Sequence, residues 1–192
     1  MAAHQKKARR LTAHLVFPDE SGFQLTPTVR RTWAPRGQTP LIHHWDRREK
    51  VSAISAVTVS PRRQRLGFYM HVHPGNLTTV EVGVFVRDLL RHLRGPVILV
   101  WDQGPIHKGP AMRQLRAQYR RLHVYEFPSY APELNPDELV WAYTKRALAN
   151  GRPLTLDHLF RDVVRVGRHM RRRPRLLRSF ILGSDLPPCL RR

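Results

Sequence analysis

Apolar positions in the first part of the chain form short runs of strand character. The runs His14 to Phe17, Lys50 to Val59 and Arg65 to Val72 are rich in β-branched, aromatic or small residues, and the segment SPRRQ between the last two has turn chemistry. We therefore predict three strands that pair as an antiparallel meander, the first of which runs into Asp19.

Apolar positions after residue 80 fall at helical spacing. One broad stripe recurs at i, i+3, i+4, i+7, i+8 and i+11 and predicts a helix: Val82, Phe85, Val86, Leu89, Leu90 and Leu93. Gly95 and Pro96 end this helix. The continuous apolar run Val97 to Trp101 is typical of a strand that is buried on both faces.

The remaining elements alternate between helix and strand. The residues Met112, Leu115 and Tyr119 mark a second helix, and Leu122 to Phe127 reads as a fifth strand. A third helix spans Asn135 to Ala149, and a fourth follows a cap at Thr155. This order predicts one α/β domain, a mixed five-stranded sheet with helices on its faces.

The net charge of the chain indicates which class of molecule it binds. The 192 residues contain 34 Lys and Arg against 14 Asp and Glu, which gives a net charge of +20. A polyanion would be attracted and held by such a protein, and nucleic acid is the commonest one. A genome rich in G and C, a ribosome partner or an acidic membrane surface are the alternative explanations.

Cysteine content and hydropathy limit the cellular setting. Cys189 is the single cysteine, which excludes an internal disulfide and a cysteine-based zinc cluster. No stretch approaches the roughly 20 apolar residues of a membrane span, and no signal peptide is recognisable. We expect a soluble, cytoplasmic protein.

Three acidic residues stand out by their positions. Asp19 follows the first strand, Asp102 ends the fourth, and Glu138 lies in the first turn of the third helix. If the first and fourth strands are neighbours, the three carboxylates converge. Convergent carboxylates repel one another unless a cation separates them, and their oxygens suit Mg²⁺ or Mn²⁺.

Each acid also has a purely structural interpretation. Asp19 in the segment PDESG suits a turn. Glu138 occupies the capping-box position of a helix that has Asn135 as its N-cap and Pro136 as its first residue. Asp137 competes with Glu138 for the same role, and spacing alone does not choose between them.

Four segments together match a known pattern: FPDESGF, RRTWAPRGQTP, ILVWDQGPIHKG and FPSYAPELNPDELVWAYTKRAL. In order and spacing they resemble the catalytic domain of bacterial insertion-sequence transposases of the mariner superfamily, which are DDE superfamily endonucleases. The last segment is close to that family's Leu-Asn-Pro-x-Glu-x-x-Trp signature. The resemblance extends from about Leu15 to Met170.

The resemblance implies a ribonuclease-H-like fold and a catalytic, metal-binding triad of Asp19, Asp102 and Glu138, with Mg²⁺ or Mn²⁺ as cofactor. It also implies the reaction: phosphodiester hydrolysis at each element end, then attack of the freed 3′-hydroxyl on target DNA. Pro18 and Gln103 depart from the pattern, which has an apolar residue and Asn there, and these two departures leave open whether the chain is active.

The resemblance also implies how the protein is organised. We expect a basic lead (1–13), a catalytic domain (14–172) and an Arg/Pro-rich C-terminal tail (173–192). Because few residues precede the first strand, a helix-turn-helix half would come from another part of a split reading frame. Action on two DNA ends implies a homodimer associated with the nucleoid.

Basic and aromatic side chains around the motifs are candidate DNA contacts: Arg30, Arg31, Trp33, Arg36, His107, Lys108 and Lys145. Trp33 is equally compatible with a core or lid role, and His107 and Lys108 with a solvated helix start. Two other functions stay open: a catalytically inactive basic DNA-binding remnant, and a nuclease or junction resolvase with the same fold.

Overall fold

A computed structural model gives the architecture of the chain. It describes residues 10–26, 28–41, 49–151, 153–186 and 189–190. Most of the basic lead predicted for residues 1–13 therefore lies outside the described residues. Within the described part, no helix is long and apolar enough to cross a membrane.

The sheet has five strands in the order β3-β2-β1-β4-β5. They are β1 (His14–Gln24), β2 (Lys50–Val59), β3 (Leu66–Pro74), β4 (Val97–Trp101) and β5 (Leu122–Glu126). The first three pair antiparallel, whereas β4 is parallel to β1 and β5 is parallel to β4. The structure thus confirms the predicted mixed sheet, and β1 is its middle strand.

The first strand is longer than the sequence analysis predicts. Its pairing with β2 continues from Leu15, opposite Val59, to Gln24, opposite Lys50. Asp19 therefore lies in the middle of a strand, opposite Ser55, and its interpretation as a turn residue is wrong. The turn-forming residues of this segment are overridden because every one of them has a partner on β2.

Helices cover both faces of the sheet. The helices α1 (Thr79–His92) and α2 (Pro110–Gln118) share one buried core with Val16 and Leu99. The helices α3 (Pro136–Leu148), α4 (Leu156–Arg171) and α5 (Pro174–Gly183) share the other core with Leu15 and Phe17. Successive side chains of β1 enter opposite cores, as the two-residue period of a strand requires.

The last helix, α5, corrects the expectation of a C-terminal tail over residues 173–192. Leu177, Phe180 and Ile181 are buried in the core that α3 and α4 share. The spacing of these three residues fits one helical face. The arginines on the other positions concealed this short stripe in the sequence, because they dominate the composition of the segment.

Replacing Phe180 with Ala tests whether α5 belongs to the domain core. Phe180 is 6% exposed and packs against Tyr143 with 5.9 Å between ring centroids. We expect Phe180→Ala to lower the free energy of unfolding by about 3–5 kcal/mol. Urea denaturation measures it. The exposed neighbour Arg178→Ala should change it by less than about 0.5 kcal/mol, and equal effects would contradict the packing of α5.

Candidate active site

Two neighbouring strands bring Asp19 and Asp102 to the same level of the sheet. The parallel pairing of β1 with β4 ends at Val16 and Leu99. Asp19 lies three residues beyond Val16, and Asp102 lies three residues beyond Leu99. Because the two strands run in the same direction with the same rise per residue, the two carboxylates arrive side by side.

Helix α3 brings Glu138 to these strands, and two polar residues hold its first turn in place. The amide of Asn135 donates to the carbonyl oxygen of Pro18 on β1 at 3.4 Å, and its side-chain oxygen accepts from the backbone of Asp137 at 3.1 Å. The carboxylate of Asp137 accepts from Ser55 Oγ at 2.5 Å and from the backbone N–H of Val57 at 3.2 Å. The helix start is thus bonded to both β1 and β2.

These contacts separate the roles of Asp137 and Glu138. Asp137 is fully buried against the sheet, whereas Glu138 is exposed and lines a cavity. The side chain of Asn135 caps the helix, because its oxygen accepts a hydrogen bond from the backbone N–H of Asp137. Spacing left the choice between the two acids open, and the geometry assigns Asp137 to the helix–sheet contact and Glu138 to the cavity.

All three predicted acids line one cavity of about 650 Å³. Asp19 enters it from β1, Asp102 from the end of β4, and Glu138 from α3. The loop after β5 forms the opposite wall, including the fully exposed Tyr130. The structure therefore brings together the side chains that the sequence analysis singled out, and their catalytic role stays a prediction.

Negative charge accumulates in this cavity. Burial, together with the nearby carboxylates of Glu138, Glu20 and Asp102, raises the pKa of Asp19 to about 8. A buried carboxylate among like charges gains most from a cation or a proton. Burial likewise raises the pKa of Asp137 well above its usual value, although the hydrogen bond from Ser55 opposes the shift.

A buried histidine joins two of the acids. The Nδ1 atom of His107 lies 2.9 Å from Asp102 Oδ1, and its Nε2 atom lies 3.0 Å from Glu20 Oε1. The imidazole stacks on Trp101 with 4.0 Å between ring centroids. Burial disfavours the charged imidazole, but hydrogen bonds to Asp102 and Glu20 outweigh it and raise the pKa of His107 to about 10. The same hydrogen bond lowers the pKa of Asp102.

This environment bears on one predicted DNA contact. The side chain of His107 is only 2% exposed and contacts Asp102, and its contact with DNA stays a prediction. Glu20 was missed by the sequence analysis. The sequence does contain a clue to Glu20, which is its position next to Asp19. Adjacent residues of a strand lie on opposite faces of the sheet. Glu20 thereby reaches the histidine while Asp19 faces α3.

The other predicted DNA contacts are on the surface. Trp33 is completely exposed, which excludes the core interpretation, and Lys108 lies 3.8 Å from Glu126. The backbone of Arg30 is hydrogen bonded in both directions to the side chain of Asn150. The remaining candidates are also exposed: Arg31, Arg36 and Lys145. Whether they bind DNA stays a prediction.

The chemistry of the donor set fits a hard divalent cation. Carboxylate oxygens are the ligands that Mg²⁺ and Mn²⁺ prefer, and the pKa of Asp19 is raised by burial and by neighbouring carboxylates, both of which a bound cation would offset. Among the described residues, no three His, Cys, Asp or Glu side chains are close enough to form a ready-made ion site. Asp102, for instance, is turned toward His107.

Comparison with known proteins identifies the fold class first. The chain superimposes on the solved catalytic domain of the Mos1 mariner transposase with a TM-score of 0.50 and 17% identity, covering 97% of this chain and 91% of that one. It also superimposes on the mariner Mos1 paired end complex with Mg, with a TM-score of 0.54 and 19% identity over 97% of this chain and 61% of that one. The predicted ribonuclease-H-like fold is confirmed.

The family follows from the sequence itself. Residues 14–159 match the family described as DDE superfamily endonuclease, and the chain belongs to that family. It is also 23% identical over 171 residues to the transposable element Tc1 transposase of Caenorhabditis elegans, covering 84% of this chain. The match spans 61% of the length of that relative.

Removing the carboxylate of Asp137 tests the contact between α3 and the sheet. Asp137→Ala leaves Ser55 Oγ and the N–H of Val57 without their acceptor in a buried place, so we expect unfolding free energy to fall by about 2–4 kcal/mol. Chemical denaturation measures the loss. Exposed Glu133→Ala is the matched control, and a loss no larger than that of the control would show that the contact contributes nothing.

Truncating His107 tests the histidine bridge. His107→Ala removes the stacking on Trp101 and leaves Glu20 without its hydrogen-bond partner, and we expect a loss of about 2–4 kcal/mol in thermal or urea unfolding. Its exposed neighbour provides the comparison, since Lys108→Ala should cost less than about 1 kcal/mol. A stability equal to wild type would mean that the bridge is not formed.

Proposed function

We propose that this chain is the catalytic domain of a bacterial insertion-sequence transposase. It hydrolyses a phosphodiester at each element end and joins the freed 3′-hydroxyl to target DNA. The observation that supports the proposal most is the convergence of Asp19, Asp102 and Glu138 on one cavity in a member of the DDE superfamily endonucleases. The likeness to the Tc1 transposase agrees with it.

Each of the three carboxylates, and two residues that position them, has a role in the proposed mechanism. The carboxylates of Asp19, Asp102 and Glu138 would hold Mg²⁺ or Mn²⁺, and the bound ion would supply activation of the attacking oxygen and stabilisation of the leaving one. His107 keeps the Asp102 carboxylate turned to one side of the cavity, and Asp137 keeps the first turn of α3 on the sheet. Both residues act by position and do not touch the reacting phosphate.

The two departures from the family pattern are accommodated by the fold. Gln103 donates from Nε2 to the carbonyl oxygen of Phe127 at 3.2 Å, so its longer side chain links the end of β4 to the loop after β5. The carbonyl of Pro18 accepts from Asn135, so the proline takes part in positioning α3. Neither departure removes a carboxylate from the cavity, and this supports an active enzyme.

DNA is the proposed substrate, and the protein would act on the nucleoid in the cytoplasm. The net charge of +20 favours a polyanion, as do exposed arginines on the segment 28–41. Two further steps belong to the proposal. A helix-turn-helix unit recognises the element ends, and two catalytic domains act together, as the paired end complex of Mos1 suggests.

Nicking of a supercoiled plasmid tests the proposed chemistry. In Mn²⁺ or Mg²⁺ the wild type should convert the plasmid to open circles, and Asp19→Asn, Asp102→Asn and Glu138→Gln should each reduce the rate at least about a hundredfold. Loss of one ligand removes several kcal/mol of transition-state stabilisation, and each 1.36 kcal/mol is a factor of about ten in rate.

Metal binding provides a second readout that does not need turnover. Mn²⁺ should raise the Tm of the wild type but not of Asp19→Asn, because only a bound ion stabilises the folded state. Glu133→Gln removes a nearby exposed acid outside the cavity and should behave as wild type in both assays. DNA binding with neither nicking nor a metal-dependent Tm would instead favour the inactive remnant.

A further inference from the structure

A second, smaller cavity lies where β1 ends beside α3. Its volume is about 290 Å³, and the polar side chains on its walls are those of Gln24, Thr26, Thr28, Lys50 and Lys145. Among the described residues that line it, none is Asp or Glu. Its described walls thus include two lysines, two threonines and a glutamine and no carboxylate, which is a donor-rich setting that suits an anion.

The rise per residue of α3 and of β1 gives the distance from this cavity to the three carboxylates. Lys145 lies seven residues after Glu138 on α3, which is about 10 Å along the helix and nearly the same face. Gly22 lies three residues after Asp19 on β1, which is also about 10 Å. Both α3 and β1 thus extend from the carboxylate cavity to the smaller one over about 10 Å, so one extended ligand can contact both cavities.

The surface between the two cavities is open on the β1 side. Pairing of β1 with β4 ends at Val16, so among the described strands the later residues of β1 pair only with β2. The chain therefore leaves room along this strand for a ligand that passes from one cavity to the other.

We propose that Lys50 and Lys145 form a phosphate-binding pocket that holds the DNA backbone a few nucleotides from the bond at the carboxylates. This inference rests on the proposed function, since it takes DNA as the substrate. Some exposed basic groups of the described surface have an acidic partner: Lys108 with Glu126, Arg161 with Asp157 and Arg165 with Asp162. Lys50 and Lys145 line a cavity with no Asp or Glu among its described lining residues.

The test is DNA binding by the full chain without divalent metal, so that no cleavage interferes. Lys50→Gln combined with Lys145→Gln keeps most of each side-chain stem and removes both charges. Loss of one phosphate contact should flatten the slope of log K against log salt by about 0.9 and weaken binding roughly eightfold at about 0.1 M salt. Fluorescence anisotropy of a short labelled duplex measures both quantities.

The matched control removes two exposed charges from the other side of the sheet. Arg116→Gln combined with Arg120→Gln lowers the net charge equally, and we expect its binding to fall less than twofold. Equal losses in the two double variants, or an unchanged salt slope in the lysine variant, would overturn the pocket. A melting curve like that of wild type for both variants establishes that each is folded.

Failure of the pocket and failure of the proposed function give different results. If the lysine variant binds DNA like the control while the wild type still nicks plasmid with metal, the pocket is wrong and the transposase assignment stands. If the lysine variant alone loses affinity while no variant shows metal-dependent nicking or a metal-dependent Tm, the pocket stands and the chemistry is wrong.

Discussion

The arrangement of the site depends on the contact between the first turn of α3 and the middle of the sheet. Asp137 accepts hydrogen bonds from Ser55 and Val57 on β2, and Asn135 reaches the Pro18 carbonyl on β1. A helix packed only by its apolar face can rotate or slide, because hydrophobic contacts are not directional. Polar bonds in a buried place are directional, and they fix the level at which Glu138 meets the carboxylates of the two strands.

The acidic side chains on the two faces of β1 have different surroundings. On the α3 face, Asp19 is partly buried among acids, and its pKa is raised to about 8. On the other face, Glu20 contacts the buried imidazole of His107, which also contacts Asp102 and whose pKa is raised to about 10. Glu20 thus has a basic partner within the protein, whereas the charged groups that shift the pKa of Asp19 are all carboxylates. This difference agrees with the proposed cation at Asp19.

Local patterns predicted the elements well because each had a strong period or boundary signal. Val97 to Trp101 is observed as predicted, and Thr155 caps α4. Long-range contacts decided the rest. The length of β1 depends on its partner β2, and the roles of Asp137 and Glu138 depend on which one faces the sheet. The burial of His107 depends on Glu20, which is 87 residues away in the chain. The helix α5 was missed because its apolar stripe is short and lies among arginines.

Adjacent side chains of β1 lie on opposite faces of the sheet, and this limits which insertions and deletions the strand can accept. An insertion or deletion of one residue between His14 and Asp19 would move every later side chain of the strand to the other face. Glu20 or Pro18 would then take the place of Asp19, and the bond from Asn135 would meet a different carbonyl. In the exposed segment 28–41 the same change shifts no buried side chain, so length variation among natural relatives should concentrate there and be rare in the strand.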